Sequence, residues 1–178
     1  GAGGADTVSG HARRAWLQGL SPKENRDIPP LDYDRVDRLK ASLSDLPVVI
    51  NGGIGGISEA KQHLARVDGV MLGRAAYQDP WRLLKVDSEL FGEAAPHATM
   101  KLALAAMIPY IENQLASGTR LHSFTRHFVG AFHGVPGARA FWRHLAENGV
   151  KAGAGVNGLR DALALVEETT VQSIRPGR

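Results

Sequence analysis

The chain has 178 residues, 43% of them hydrophobic, with a formal net charge of +3 and no cysteine. That length suits one ordinary domain or two small ones, and that apolar fraction excludes wholesale disorder. The lack of cysteine excludes a disulfide framework, a thiolate metal site and a cysteine nucleophile, and no apolar run approaches the roughly 20 residues of a membrane span.

The first residues, Gly1-Ala2-Gly3-Gly4-Ala5-Asp6, carry neither the basic nor the apolar segment of a signal peptide, lack an initiator Met and start in mid-pattern. They read as the middle of a longer protein. Residues 5–12 form a weak strand ending at His11, and residues 13–34 an irregular polar loop. A loop that long in a compact domain is usually functional or disordered. Val36, Leu39 and Leu43 share one face and predict a helix over residues 33–44. Residues 47–51 are a continuous apolar strand, the kind covered on both faces in a parallel sheet. Ser58 is placed to cap a helix over residues 59–66, and Val67–Leu72 is the next strand. This alternation is a run of parallel βα units.

The pattern changes after Phe91-Gly92-Glu93-Ala94-Ala95-Pro96, where strand signals stop. Met100, Leu104, Met107, Ile108, Ile111 and Leu115 lie on one helical face, with Gly118 as the stop and Pro109 as a kink. Leu121, Phe124, Phe128 and Phe132 predict a second helix, ending near Gly134. Pro136 opens a third to Asn148-Gly149, and Asn157 caps a fourth reaching about Glu168. Residues 1–95 are therefore expected to be α/β and residues 96–178 a helical bundle.

Two glycine-bearing loops stand one βα unit apart: Ile50-Asn51-Gly52-Gly53 and Leu72-Gly73-Arg74. Glycine lets the backbone approach a phosphate and turn N–H groups toward it. Each loop alone reads equally as an ordinary turn after a buried strand. In succession they match the phosphate cradle after the last two strands of a (β/α)8 barrel. Arg74 would add a forked, permanently charged donor. His11 ends the first strand, where barrel enzymes place functional side chains. A lone histidine is otherwise a structural residue.

Between residues 120 and 160, Arg120, Arg126, Arg139, Arg143, Lys151 and Arg160 face a single acid, Glu147. Ordinary helical surfaces mix signs, so this stretch suits a phosphate backbone. His122, His127, His133 and His144 lack the His-Glu-x-x-His spacing of a zinc site, so no metal is expected.

The run His11-Ala12-Arg13-Arg14-Ala15-Trp16-Leu17-Gln18-Gly19-Leu20-Ser21-Pro22-Lys23-Glu24-Asn25-Arg26, with Ile50-Asn51-Gly52-Gly53-Ile54 and Gly69-Val70-Met71-Leu72-Gly73-Arg74-Ala75-Ala76-Tyr77, strongly resembles the tRNA-dihydrouridine synthases, in particular their bacterial synthase A branch. Phe132-His133-Gly134-Val135-Pro136-Gly137-Ala138-Arg139 and Lys151-Ala152-Gly153-Ala154 extend the likeness over nearly the whole chain.

The resemblance implies the C-terminal part of an FMN-dependent TIM barrel, its last three βα units, followed by a helical tRNA-binding domain. The implied reaction reduces uridine to 5,6-dihydrouridine in the tRNA D-loop, with NADPH as reductant, in the cytoplasm. It puts His11 against the flavin and Asn51, Gly52, Gly53, Gly73 and Arg74 around the FMN phosphate. Lys23 and Arg26 would face tRNA, as would Arg139 with a neighbour, Trp142 or Arg143.

Three departures stand out. The family's proton-donating cysteine, its first strands and a flavin-contacting lysine have no counterpart here, so no catalytic residue is expected in this chain and the chain alone should be inactive. A missing N-terminal half-barrel is its expected partner, since three strands leave two open edges. Ser9-Gly10 replaces a bulky apolar pair and would underfill the barrel interior. Gly1–Gly4 is unusually rich in glycine for the start of a strand. Two rival readings are a non-catalytic RNA-binding module with a barrel remnant as scaffold, and a βα enzyme acting on a small phosphorylated metabolite. The basic 23–26 loop speaks against the second.

Overall fold

The structure, a computed structural model, describes residues 4–16, 18–43, 45–128 and 130–167. Gly1–Gly3, Leu17, the predicted helix end at residue 44 and the predicted helix end at Glu168 lie outside the described residues. The chain forms two compact units, Gly1–Ala76 and Tyr77–Arg178.

The first unit holds a three-stranded parallel sheet in the order β1-β2-β3, with β1 at Val8–His11, β2 at Val48–Asn51 and β3 at Gly69–Met71. Helices α1 (Tyr33–Ser42) and α2 (Ile57–Leu64) make the crossovers. The register sets His11 beside Asn51 and Asn51 beside Met71, so all three strands end in one row. Val48 and Ile50, fully buried, anchor a core with Val36, Ile54, Ala60 and Val67. β3 is shorter than the predicted Val67–Leu72 because Val67 turns into that core and Asp68 caps the sheet. The Asp68 carboxylate accepts the Val48 N–H at 2.7 Å and pairs with Lys40 at 2.9 Å.

Two local expectations are overturned. Gly10 does not face a barrel interior: a Cβ built on it would meet Val36 Cγ1 of α1 at 3.3 Å, so its missing side chain admits the helix layer. Ser58 does not cap α2 either. Gly56 is the N-cap, without a side-chain bond, and Glu59 reaches back to accept the Gly55 N–H at 2.7 Å.

Residues 13–32 are tied down by polar side chains rather than by a core. Asn25 accepts the Trp16 N–H and donates to the Trp16 carbonyl. Ser21 and Glu24 bond reciprocally around the 3-10 turn Glu24–Arg26. Arg13 bridges antiparallel to Leu31, and its Nη1 donates to the carbonyls of Asp27 and Pro29. Asp32 then caps α1 by accepting the Arg35 N–H.

After β3 come α3 (Arg74–Gln78), a 3-10 segment at Pro80–Lys85 and a π turn at Asp87–Phe91. Trp81 is buried in the core of the second unit and donates from Nε1 to the Ala131 carbonyl. The contact boundary at Ala76–Tyr77 thus lies ahead of the composition change at residues 91–96.

In the second unit α4 (Met100–Ala106) and α5 (Ile108–Ala116) are separate helices with Met107 between them, the break that Pro109 predicts. Met100, Leu104, Ile108 and Ile111 are buried, whereas Met107 is exposed and off the shared face. The predicted second helix shrinks to α6 (His122–Thr125). Leu121, Phe128 and Phe132 are buried all the same, through turns in which Gly130 passes so near the Gln78 carbonyl that a Cβ there would overlap it. Helix α7 (Ala138–Asn148) starts after Gly137, with Pro136 outside it. Helix α8 (Val156–Ala164) is capped by Gly155, not Asn157, whose Oδ1 instead accepts from Arg160. Phe132 and Phe141 meet edge to face at 4.8 Å in the centre of this core.

Candidate functional site

The C-terminal ends of β1 and β2 bring three of the expected residues into contact. The Asn51 carbonyl accepts from the Ala12 N–H at 2.7 Å and from His11 Nδ1 at 3.1 Å. A carbonyl accepts only, so Nδ1 carries the proton and Nε2 is left as the ring's other polar atom. The imidazole lies over Gly52: a Cβ there would stand 2.7 Å from His11 Nδ1. Gly52 (φ 121) and Gly53 (φ 72) both lie where side chains are disfavoured. At Gly53 a Cβ would collide with Leu31 Cδ1 at 2.5 Å. The His11 ring packs this closely on the backbone because Gly52 has no side chain, and Leu31 approaches Gly53 for the same reason.

Gly73 and Arg74 leave the next strand in the same row, since Met71 pairs with Asn51. A Cβ on Gly73 would meet open space. Arg74, 63% exposed, directs Nη1 to the Asp27 carboxylate at 2.6 Å. Two left-handed glycines, an open third and a forked cation suit a phosphate monoester. Its oxygens could take the place that the Asp27 carboxylate has on Arg74.

Two residues of this region escaped the sequence reading. The Tyr33 hydroxyl donates to the Gly52 carbonyl at 3.0 Å and lies 3.4 Å from Glu59 Oε1. Burial, with the Glu59 charge beside it, raises the hydroxyl's pKa, so it stays a donor through the neutral range. The signal available was an acid at the third helical position after a glycine loop.

Lys23 is exposed at the start of the 3-10 turn. Arg26 belongs to that turn by its backbone, and its side chain lies outside the described residues. In the second unit Arg139 and Arg143 lie one turn apart on α7. With Trp142 and His133 they line an open cavity of about 710 Å³. Trp142 is half-buried, packed edge-on to Phe141 at 4.9 Å, which makes Arg143 the more accessible of the two candidate neighbours of Arg139. Arg160 is less available than its charge implies, because Glu112 pairs with it at 2.9 Å. No group of three or more His, Cys, Asp or Glu suited to a metal occurs among the described residues. None of their helices is long and apolar enough to cross a membrane.

The family profile described as Dihydrouridine synthase (Dus) matches residues 1–169. A tRNA-dihydrouridine(20/20a) synthase of Yersinia pestis is 52% identical over 164 residues, covering 92% of this chain and 48% of that protein. Its namesake in Vibrio vulnificus is 51% identical over 166 residues, 93% of this chain and 51% of the relative. The Haemophilus ducreyi protein of the same name is 53% identical over 158 residues, 89% and 49%. The chain spans about half the length of the curated relatives it matches, on their C-terminal portion. With a profile match over almost its whole length, this chain belongs to the dihydrouridine synthase family.

Proposed function

We propose that the chain is the C-terminal portion of an FMN-dependent tRNA-dihydrouridine synthase. In this reading residues 1–95 supply the last three βα units of a TIM barrel and residues 96–178 a helical tRNA-binding domain. The observation that carries it is the His11 ring packed on Gly52 at the row of strand ends, beside a second glycine loop with Arg74. That arrangement fits a flavin phosphate. FMN, when bound, would supply the reduction of the uracil C5–C6 double bond, drawing on NADPH. Asn51, Gly52, Gly53, Gly73 and Arg74 would hold its phosphate tail, and the glycines would let backbone N–H groups replace lost water. His11, its Nδ1 proton committed to the Asn51 carbonyl, would present Nε2 toward the ring system. Lys23, Arg26, Arg139 and Arg143, with Trp142 as an apolar neighbour, would meet tRNA in the cytoplasm.

The chain has no cysteine to protonate the uracil ring, so its own residues bind and orient but leave the proton step to the rest of the enzyme. Purified chain mixed with FMN, NADPH and unmodified tRNA should form no dihydrouridine and retain no flavin absorbance near 450 nm after desalting (a wavelength belonging to flavins in general). A yellow, active preparation would overturn this reading.

A further inference from the structure

We propose that Tyr33 and Glu59 are positioning residues that set the direction of the Gly53 N–H in the first glycine loop. This deepens, and rests on, the reading of that loop as an anion site. Four of the five residues Gly52–Gly56 are glycine and only Ile54 anchors the loop in the core, so the glycine peptides are not fixed by their own side chains: Gly loses more freedom on ordering than any other residue. The fixing must come from neighbours, and two helices provide it. Tyr33, the first residue of α1, donates to the Gly52 carbonyl at 3.0 Å. Glu59, in the first turn of α2, accepts the Gly55 N–H at 2.7 Å through Oε2. Its other oxygen lies 3.4 Å from the Tyr33 hydroxyl, whose single proton it shares with the nearer Gly52 carbonyl. The Tyr33 ring is held in turn against His63 at 4.4 Å, and His63 is buried.

The peptide joining Gly52 to Gly53 is trans. In a trans peptide the carbonyl and the next N–H point in opposite directions. A Gly52 carbonyl pinned on Tyr33 therefore aims the Gly53 N–H away from Tyr33, and Gly53 itself is exposed. The loop's donor is thus oriented before any anion arrives, which spares the anion the entropy of ordering it. Glu59 makes the role testable by sign. A carboxylate close to an anion loop repels the anion, so neutralising it should tighten phosphate binding on charge grounds alone. If Glu59 positions the loop, replacing it with a neutral side chain that accepts no hydrogen bond should weaken binding instead.

The experiment uses the whole chain and two near-isosteric variants that remove the bonds, Tyr33→Phe and Glu59→Met. Titration with inorganic phosphate is followed by amide NMR, and hydrogen exchange of the Gly53 and Gly55 amides is measured without phosphate. Each variant should weaken phosphate binding about three- to tenfold, the worth of one hydrogen bond, and Glu59→Met should quicken exchange of the Gly55 amide by a similar factor. Where the wild type binds phosphate, unchanged binding in Tyr33→Phe or tighter binding in Glu59→Met would overturn the proposal, as would unchanged Gly55 exchange in Glu59→Met. Quickened exchange in a chain whose wild type ignores phosphate would uphold the positioning role and sink the anion reading instead.

Discussion

The Asp27 carboxylate, in the loop after β1, meets Arg74 Nη1 at 2.6 Å, forty-seven positions away in the chain. An acid from one loop thus sits on the cation expected to grip a phosphate from another. Both partners are substantially exposed, 63% and 46%, so the pair contributes at most about 1 kcal/mol. A pair this weak would cost a phosphate bound at the proposed site little to displace.

Removing that competitor should help an anion. Asp27→Asn should tighten inorganic phosphate binding by up to about fivefold, the most an exposed ion pair is worth, read by NMR titration. Arg74→Ala should abolish the gain. Weaker binding in Asp27→Asn would mean that the carboxylate orients Arg74 rather than competing for it.

Glycine should matter at Gly52 for reasons that do not hold at Gly73. Gly52→Ala forces a side chain to φ 121 and drives Cβ to 2.7 Å from His11 Nδ1. Strained backbone of this kind costs about 1–3 kcal/mol, which urea unfolding would read. Gly73→Ala meets open space and should stay within about 0.5 kcal/mol of the wild type. Equal losses at the two positions would refute the close packing of loop and ring.

The first unit carries a pH-sensitive clasp. The Asp68 carboxylate is held below its ordinary pKa by its hydrogen bond with Lys40 and then by the Val48 N–H. A depressed carboxylate contributes stability above its unfolded pKa, about 4, and loses it as pH falls through the lower folded value. Asp68→Asn should therefore lower the urea midpoint at pH 7 and flatten its decline below about pH 4. Parallel acid limbs in the two proteins would contradict this clasp.

Much of the first unit was legible in the sequence because buried parallel strands are continuous apolar runs, as at residues 47–51. The start of α1 at Tyr33 was legible too, but the caps of α2 and α8 were not, since Gly56 and Gly155 stand at the N-caps where polar side chains were sought. The second predicted helix fails for a tertiary reason: Gly130 must pass hard against the Gln78 carbonyl, and periodicity alone carries no trace of that. At the site, residue types pointed to His11 and the glycines. Their contact depends on the register of His11 with Asn51, and the Tyr33–Glu59 anchor on two helices meeting one loop. Neither is written in local spacing.

The basic surface of the second unit makes a separable prediction. Arg139→Ala with Arg143→Ala should weaken tRNA binding and lower the log–log salt slope by about two, one for each lost phosphate contact. Arg160→Ala, already paired with Glu112 at 2.9 Å, should change it little. An unchanged slope in the double variant would move the tRNA surface elsewhere.

The most direct test joins the N-terminal portion of the Yersinia pestis relative, the part this chain does not match, to this chain as one polypeptide. Dihydrouridine in an unmodified tRNA transcript is then counted by mass spectrometry after incubation with FMN and NADPH. The expected result is a flavin-bound chimera that forms dihydrouridine, with a sharp loss of both flavin and product on Arg74→Ala. A folded chimera that binds tRNA yet retains no flavin and makes no dihydrouridine would contradict the assignment of this chain as the flavin-gripping half of such an enzyme.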